Sequence, residues 1–108
     1  MIRVIQLDIN QATSVENLVR TLKVEQKRIN ILVNNAGVFF RGKLTHGIVD
    51  TTLGTNYFNT VSFTNLLLKE NLIDQGGKII MISSGLGNLS ILEKRNPEIM
   101  QELSSYKE

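Results

Sequence analysis

Apolar residues along the chain follow two patterns, short near-continuous runs and helical repeats. The runs are Ile2–Leu7, Ile29–Val33 and Lys78–Ile82, and their β-branched residues predict strands. The near-continuous apolar character of Ile29–Val33 is typical of a parallel strand covered on both faces. The intervening segments predict a helix that begins at Thr13 and a long helix from Thr52 to about Ile73. Strands that alternate with helices predict an α/β fold.

The first helix has a recognisable start and one apolar face. Thr13 and Glu16 are spaced as in a capping box, in which the threonine accepts from a backbone amide and the glutamate reaches back. Its apolar face is formed by Val15, Leu18, Val19 and Leu22. With the runs before and after it, this helix is expected to form one βαβ unit with a right-handed crossover.

Glycine and proline signals set the later boundaries. Gly76-Gly77 predicts a stop and a turn before the last strand. Asn96-Pro97-Glu98 predicts another helix start, with asparagine as N-cap and proline at the first helical position. Residues 85–108 are therefore interpreted as a loop and helix insertion. A length of 108 residues suffices for a single small domain and leaves no room for a second.

Each apolar run ends at polar residues. Asp8 follows the first run, Asn34-Asn35-Ala36-Gly37 follows the second, and Ser83-Ser84 follows the third. Ligands of open parallel sheets bind at the carboxyl ends of the strands, and Gly37 would let a flat ligand approach the backbone. The same residues are common in ordinary turns. Spacing alone supports the two interpretations of the Asn34 stretch about equally.

Composition and charge narrow the function classes. The net charge of +2 arises from 12 basic and 10 acidic residues scattered along the chain, which favours neither a nucleic-acid surface nor a membrane surface. The sequence has no cysteine and one histidine, so neither disulfides nor a thiolate or histidine metal cluster is expected. No apolar run reaches membrane-spanning length and no signal-peptide layout is present. We expect a soluble, cytoplasmic protein.

Four features in register resemble the short-chain dehydrogenase/reductase family: Asp8, the Asn34 to Gly37 stretch, Asn56 and Ser83-Ser84. The resemblance implies a partial doubly wound parallel sheet, Rossmann-like, with helices on both faces and without the first βαβ unit and the C-terminal part. Residues 1–108 would then be a single partial dinucleotide-binding domain. The implied cofactor is NADP(H), with NAD(H) open.

The resemblance also implies roles for individual residues. Asp8 and the backbone of Ile9 would hold the adenine end of the cofactor, and Asn35, Ala36 and Gly37 would also bind the cofactor. Ser84 would donate a hydrogen bond to a substrate carbonyl oxygen while hydride adds to the carbon. Asn56 would bend its helix locally and bind a water of the proton relay. Either polar residue could instead have a purely structural role, a turn for the serine and a cap or exposed face for the asparagine.

The sequence departs from the family pattern in three places. No glycine-rich Thr-Gly-x-x-x-Gly-x-Gly loop precedes Asp8, and no Tyr-x-x-x-Lys motif is present, since Tyr106 is followed two residues later by the last residue. Asn59 stands where the family commonly has glycine. The missing loop and motif indicate a fragment that is inactive as an isolated chain. The predicted helical insertion soon after the serine resembles the carbonyl reductase branch of the family, which implies reduction of ketones or aldehydes to alcohols by hydride transfer.

A second hypothesis belongs to another class. The chain could be a naturally truncated, catalytically inactive paralogue that acts as a binding or interaction module, because exposed sheet edges can pair with a partner. The first hypothesis expects a small carbonyl or alcohol substrate as partner. Neither hypothesis fixes the oligomeric state.

Overall fold

The computed structural model describes residues 1–43 and 45–85, together with residues 88, 90, 94, 95, 97, 98 and 101. Its elements in chain order are helix α1 (Ala12–Val24), strand β1 (Ile29–Asn34), helix α2 (His46–Leu53), a π-helical turn (Gly54–Phe58), helix α3 (Asn59–Lys69) and strand β2 (Ile73–Met81). The predicted helix start at Asn96 and the residue Tyr106 lie outside the described residues.

Helix α1 begins at Ala12, one residue before the predicted start. The predicted capping box is wrong, because Gln11 is the N-cap and no side chain of a described residue caps this helix start. A tight turn starts the helix instead. The carbonyl of Asp8 accepts from the amide of Gln11 at 3.1 Å, and the amide of Asp8 donates to Ser14 Oγ at 2.8 Å.

Strands β1 and β2 form a parallel pair, and this pair fixes where the polar strand ends lie. Ile31 is paired with Lys78, and Asn34 is paired with Met81. The amide of Ile82 donates to the carbonyl of Asn34 at 3.0 Å. The two strands therefore run side by side until both end at the same edge of the sheet.

Strand β2 is irregular at the two glycines. The ladder is regular from Lys78 onward and has a further pairing at Ile73, so residues 74–77 bulge between the two paired parts. Gly76 has φ of +80°, and a Cβ on Gly77 would lie 2.8 Å from a backbone carbonyl oxygen. The predicted stop is wrong, because the glycines permit a bulge within the strand rather than a turn before it.

Residues 1–7, all of them described, form no strand, so the predicted strand Ile2–Leu7 is wrong. Arg3 instead pairs with Glu25, just after the last turn of α1. A strand needs a hydrogen-bonded neighbour, and the two described strands pair with each other and not with residues 1–7. The observed βαβ unit runs from β1 through α2 and α3 to β2, one step later than predicted.

The described helices cover one face of the sheet. Leu32 of β1 packs towards the core, whereas Ile31 and Val33 on the opposite face are exposed. The parallel strand pair with helices packed on it confirms a partial Rossmann-like sheet. The predicted coverage of both faces is not seen among the described residues, whose helices pack on one face. The buried core draws on both long helices and on the start of β2, and consists of Val15, Leu22, Phe63, Leu67, Leu72 and Ile73.

Helices α1 and α3 end in the same way and lead directly into the two strands. The residue after each C-cap is left-handed, Gln26 with φ of 54° and Asn71 with φ of 56°. The amide of the next residue donates back to the carbonyl of a core leucine, Leu22 in α1 and Leu67 in α3, at 2.9 Å. This is the Schellman closure, and it turns the chain from each helix towards the sheet.

Helices α2 and α3 form one helical run that contains the π turn. The run begins at His46, six residues before the predicted Thr52, because Thr45 is an N-cap whose Oγ1 accepts from the amide of Ile48 at 3.2 Å. It ends at Lys69, earlier than predicted. The π turn contains Asn56, the position at which the family resemblance places a local bend. Single π turns inside α-helices are frequent at functional sites.

Candidate active site

The end of β1 is tied to both of its neighbours by Asn34. Its amide nitrogen donates to Thr64 Oγ1 on α3 at 2.9 Å and to Met81 Sδ on β2 at 3.1 Å. The side chain of Asn34 therefore holds the strand end in place. The exposed residues that follow, Asn35, Ala36 and Gly37, lie at the edge where the sheet ends.

A small cavity of about 180 Å³ lies beside this edge. It brings Ile9 together with Asn35 and Ala36, three residues that the sequence predicted for the cofactor, although Ile9 is far from the other two in the chain. Asp8 lines a different depression, with residues of the first turns of α1. Its Oδ1 accepts from the backbone amide of Asn10 at 2.9 Å, which makes Asp8 the first residue of an Asx turn.

Asn56 is held against the loop that follows Gly37. Its Oδ1 accepts from the amide of Val38 at 2.7 Å, and its Nδ2 donates to the carbonyl of Val38 at 2.9 Å. A Cβ on Gly37 would lie 3.4 Å from Asn56 Oδ1, so glycine lets the amide approach closely. The predicted cofactor residue Gly37 and the predicted catalytic residue Asn56 are thus brought together. The side chain of Asn56 is already engaged by protein backbone.

Two threonines support the π turn from inside. Thr55 is 5% exposed, and its carbonyl accepts from Thr60 Oγ1 at 2.8 Å. Thr60 is also buried, and its own carbonyl accepts from Thr64 Oγ1 at 2.8 Å. Because Thr64 in turn accepts from Asn34, a chain of hydrogen bonds joins the π turn to the end of β1. Sequence reasoning missed these threonines.

Asn59, where the family commonly has glycine, also has a partner. Its Nδ2 donates to Oδ1 of Asn10 at 2.8 Å, across 49 positions of sequence. Asn10 Nδ2 donates to Oγ1 of Thr55 at 2.9 Å. Sequence reasoning missed this contact, and the only signal that pointed to it was the departure from glycine at Asn59.

Ser84 lies beyond the end of β2. The hydrogen bond from Ile82 to the carbonyl of Asn34 sets the two strand ends side by side, and Ser83-Ser84 follow directly. Ser84 is exposed. The sheet register therefore brings it to the same edge as Asn35 to Gly37, and the Asn56 contact with Val38 joins that edge from the helix side.

Among the described residues, the pKa shifts lie away from this edge. They fall on Arg3, Glu25 and Glu70, all of which pair at the other end of α1 and α3. In the part of the chain that the structure describes, no cluster of histidine and carboxylate side chains could hold a metal ion. None of the described helices is long and apolar enough to cross a membrane.

Comparison with known proteins agrees with this geometry. The family model described as short chain dehydrogenase matches residues 1–94. Carbonyl reductase (NADPH) 1 of Rattus norvegicus is 33% identical over 103 residues, which are 93% of this chain and 36% of that protein. 3-Ketodihydrosphingosine reductase of Bacteroides thetaiotaomicron is 33% identical over 93 residues, which are 83% of this chain and 35% of that protein.

Solved structures show the same relationship. A short-chain dehydrogenase/reductase from Serratia marcescens superposes with a TM-score of 0.60 at 30% identity, over 73% of this chain and 37% of that chain. A mutant of a short-chain dehydrogenase/reductase from the same organism gives a TM-score of 0.61 at 29% identity, over 74% of this chain and 33% of that one. The chain spans about a third of the length of these relatives.

The chain belongs to the short-chain dehydrogenase/reductase family of oxidoreductases. This confirms the family and the fold class that the sequence predicted. The individual roles of Asp8, Ile9, Asn35, Asn56 and Ser84 stay predictions.

Proposed function

We propose that this chain forms the central part of an NADP(H)-dependent carbonyl reductase, which reduces a ketone or aldehyde to an alcohol. The observation that carries the proposal is the shared edge of β1 and β2, where Asn35 to Gly37 and Ser84 follow the two strand ends. The names of two relatives support it, since both are reductases and one name contains NADPH. NAD(H) stays open as the cofactor, and the cytoplasm is the proposed compartment.

Ser84 supplies the electrostatic part of the proposed chemistry. When hydride adds to a carbonyl carbon, negative charge develops on the oxygen, and a positioned hydroxyl donor stabilises that charge. Ser84 is exposed at the sheet edge, where a substrate can reach it. It acts as a hydrogen-bond donor and forms no covalent bond to the substrate.

The residues at the edge fit the adenine end of a dinucleotide. The cavity of about 180 Å³ has apolar walls from Ile9 and Ala36 and an amide from Asn35, which suit a flat heterocycle with polar edges. The bound cofactor supplies the hydride. In this proposal Asp8 and the backbone of Ile9 accept and position the adenine, and the side-chain-free Gly37 leaves room along the cofactor.

Two parts of the proposed reaction, proton supply and pyrophosphate binding, require sequence motifs that residues 1–108 do not contain. The 108 residues contain neither the Tyr-x-x-x-Lys pair nor the glycine-rich loop of the family pattern. A helix N-terminus with free amides normally binds the pyrophosphate. We therefore propose that the isolated chain is inactive and that activity belongs to a longer protein with a small carbonyl or alcohol substrate. Nucleic acids and membranes are not among the proposed partners.

One observation is compatible with the second hypothesis, a truncated binding module. The open face of the sheet presents exposed apolar side chains from both strands and from the residue after β2. They are Ile31, Val33, Ile80 and Ile82. Such a face can be covered by further elements of the same protein or by a partner. A stable species of 108 residues in cells would support the module.

The test uses the protein expressed from its complete reading frame. We expect Ser84→Ala to lower kcat for ketone or aldehyde reduction by a factor of about 100 to 1,000. Ser62→Ala, at an exposed position of α3, is the matched control and should retain activity. Residues 1–108 alone should give no turnover. Full activity in Ser84→Ala would remove the proposed role of this serine.

A further inference from the structure

The side chain of Asn10 joins the turn after Asp8 to the π turn. Its Oδ1 accepts from Asn59 Nδ2 at 2.8 Å, and Thr55 Oγ1 lies within hydrogen-bonding distance of both of its amide atoms, at 2.9 and 3.2 Å. Thr55 is buried and Asn59 is half-buried, whereas Asn10 is exposed. The amide of Asn10 is thus held by two side chains of the helical run.

The turn that Asn10 closes is the one that bears the predicted adenine contacts. The backbone amide of Asn10 donates to Asp8 Oδ1 at 2.9 Å, so the orientation of that carboxylate depends on the position of Asn10. Ile9, between them, lines the cavity that also contains Asn35 and Ala36. A displacement of Asn10 would therefore move both the carboxylate of Asp8 and one wall of the cavity.

Asn59 makes a contact that glycine at the same position could not make. Glycine has no side chain, so a chain with glycine there would hold Asn10 through Thr55 and backbone contacts alone. The side-chain amide of Asn59 is a second hydrogen-bonding partner of Asn10, about one helical turn after Asn56. Through Asn10 it reaches the turn after Asp8.

We propose that Asn59 is a positioning residue for the cofactor: it fixes the Asp8 to Asn10 turn through Asn10 and so raises affinity for the adenine half of the dinucleotide. The inference rests on the proposed reductase function. Loss of one neutral hydrogen bond should weaken adenine binding about three- to tenfold. Binding of the nicotinamide half should not change, because the contact lies on the adenine side.

The experiment compares Asn59→Ala and Asn59→Gly with Asn65→Ala, a control at an exposed position of the same helix. The protein is expressed from its complete reading frame. Adenosine diphosphate is the probe for the adenine half, and nicotinamide mononucleotide is the probe for the other half. Both are measured as competitive inhibitors against the dinucleotide and by direct calorimetric binding, and hydrogen exchange at the amide of Asn10 is measured without any ligand.

The expected result is a three- to tenfold loss of adenosine diphosphate affinity and a matching rise in KM for the dinucleotide, with kcat and nicotinamide mononucleotide affinity unchanged. The Asn10 amide should exchange faster in both variants. Asn10→Ala combined with Asn59→Ala should lose no more affinity than Asn10→Ala alone, because the two side chains act as one unit.

Two results would overturn the inference. If the wild type binds adenosine diphosphate and Asn59→Ala binds it equally well, Asn59 has no positioning role while the proposed function stands. If both probes lose affinity equally, the residue supports the fold in general. Failure of the wild type itself to bind either probe would instead contradict the proposed function. Asn59→Ser serves as a second variant should the alanine and glycine proteins not fold.

Discussion

The side-chain amide of Asn56 pairs with the backbone of Val38 as one peptide group pairs with another in a sheet. Val38 donates to Asn56 Oδ1 at 2.7 Å and accepts from Asn56 Nδ2 at 2.9 Å. Both functional ends of the amide are thus used. Asn56 therefore fixes the loop after Gly37, and its role in a proton relay stays a prediction.

Removal of the two hydrogen bonds between Asn56 and Val38 should make the loop after Gly37 more mobile without affecting the core part of α3. Asn56→Ala deletes both hydrogen bonds to Val38, and a neutral hydrogen bond contributes about 1 kcal/mol net. The amide of Val38 is then expected to exchange with solvent at least about fivefold faster, as measured by NMR or mass spectrometry. Amides within the core part of α3 should keep their protection.

Asn65→Ala is the matched control, because the same change is made at an exposed position of α3. It should leave the exchange of Val38 unchanged. Equal exchange of the Val38 amide in wild type and Asn56→Ala would show that other contacts hold the loop and that these two hydrogen bonds contribute little to its stability.

Two adjacent leucines of α3 provide a test of where the core lies. Leu67 is 0% exposed and Leu68 is 50% exposed. Leu67→Ala should lower the free energy of unfolding by about 2–5 kcal/mol, because it removes buried methyl groups and leaves a cavity. Leu68→Ala should change it by less than about 1 kcal/mol. Urea unfolding followed by circular dichroism measures both, and equal losses would contradict the assignment of the helix face.

The sequence predicted those features that depend on local pattern. The helical repeat of Val15 and Leu22 identified α1, and both residues are buried in the core. The apolar runs that end at Asn34 and Ser83 identified the two strands whose shared edge forms the candidate site. Periodicity is informative here because one face of each element must be buried.

Features that depend on distant partners were predicted poorly. A strand at Ile2–Leu7 needs a neighbouring strand, and local sequence does not show which strands are adjacent. Gly76-Gly77 is compatible with a turn or with a bulge, and the choice depends on pairing with β1. The hydrogen bond between Asn10 and Asn59 joins residues 49 positions apart, so no local spacing could reveal it.

The turn that ends α1 contains a residue in a strained backbone conformation, and substitution of that residue by glycine should stabilise the protein. Gln26 adopts φ of 54°, a left-handed conformation that costs a residue with a Cβ about 1–2 kcal/mol. Gln26→Gly removes that cost and loses part of the gain to the greater freedom of glycine in the unfolded chain. A net stabilisation of about 0.5–1 kcal/mol is expected in urea unfolding.

Two comparisons identify the cause of that gain. Gln26→Ala keeps the Cβ and should give no stabilisation. Asn71→Gly, at the equivalent position of α3, should give less than Gln26→Gly, because asparagine tolerates the left-handed region better than glutamine does. If Gln26→Ala stabilises as much as Gln26→Gly, the gain does not come from the backbone conformation.

Lys23 and Glu70 form an ion pair between the ends of α1 and α3. Glu70 is the C-cap of α3, where the negative end of the helix dipole disfavours a carboxylate, and Lys23 offsets that repulsion. The hydrogen bond from Lys23, together with its charge, lowers the pKa of Glu70. The ionised form is therefore favoured in the folded protein relative to the unfolded chain.

The sign of the pH dependence follows from this lowered pKa. The contribution of Glu70 to stability is fully present above the pKa of the unfolded chain, about 4.3, and is lost as pH falls through the lower folded value. Wild type should thus exceed Glu70→Gln in thermal stability by a small, constant margin from neutral pH to about pH 5, and the margin should vanish in stronger acid. Salt at about 1 M should reduce this margin at neutral pH, because the pair is exposed and screened.

Glu16→Gln, at an exposed position of α1, controls for the change in net charge. A margin that grows as the pH falls below 4 would contradict the stabilising role of the pair.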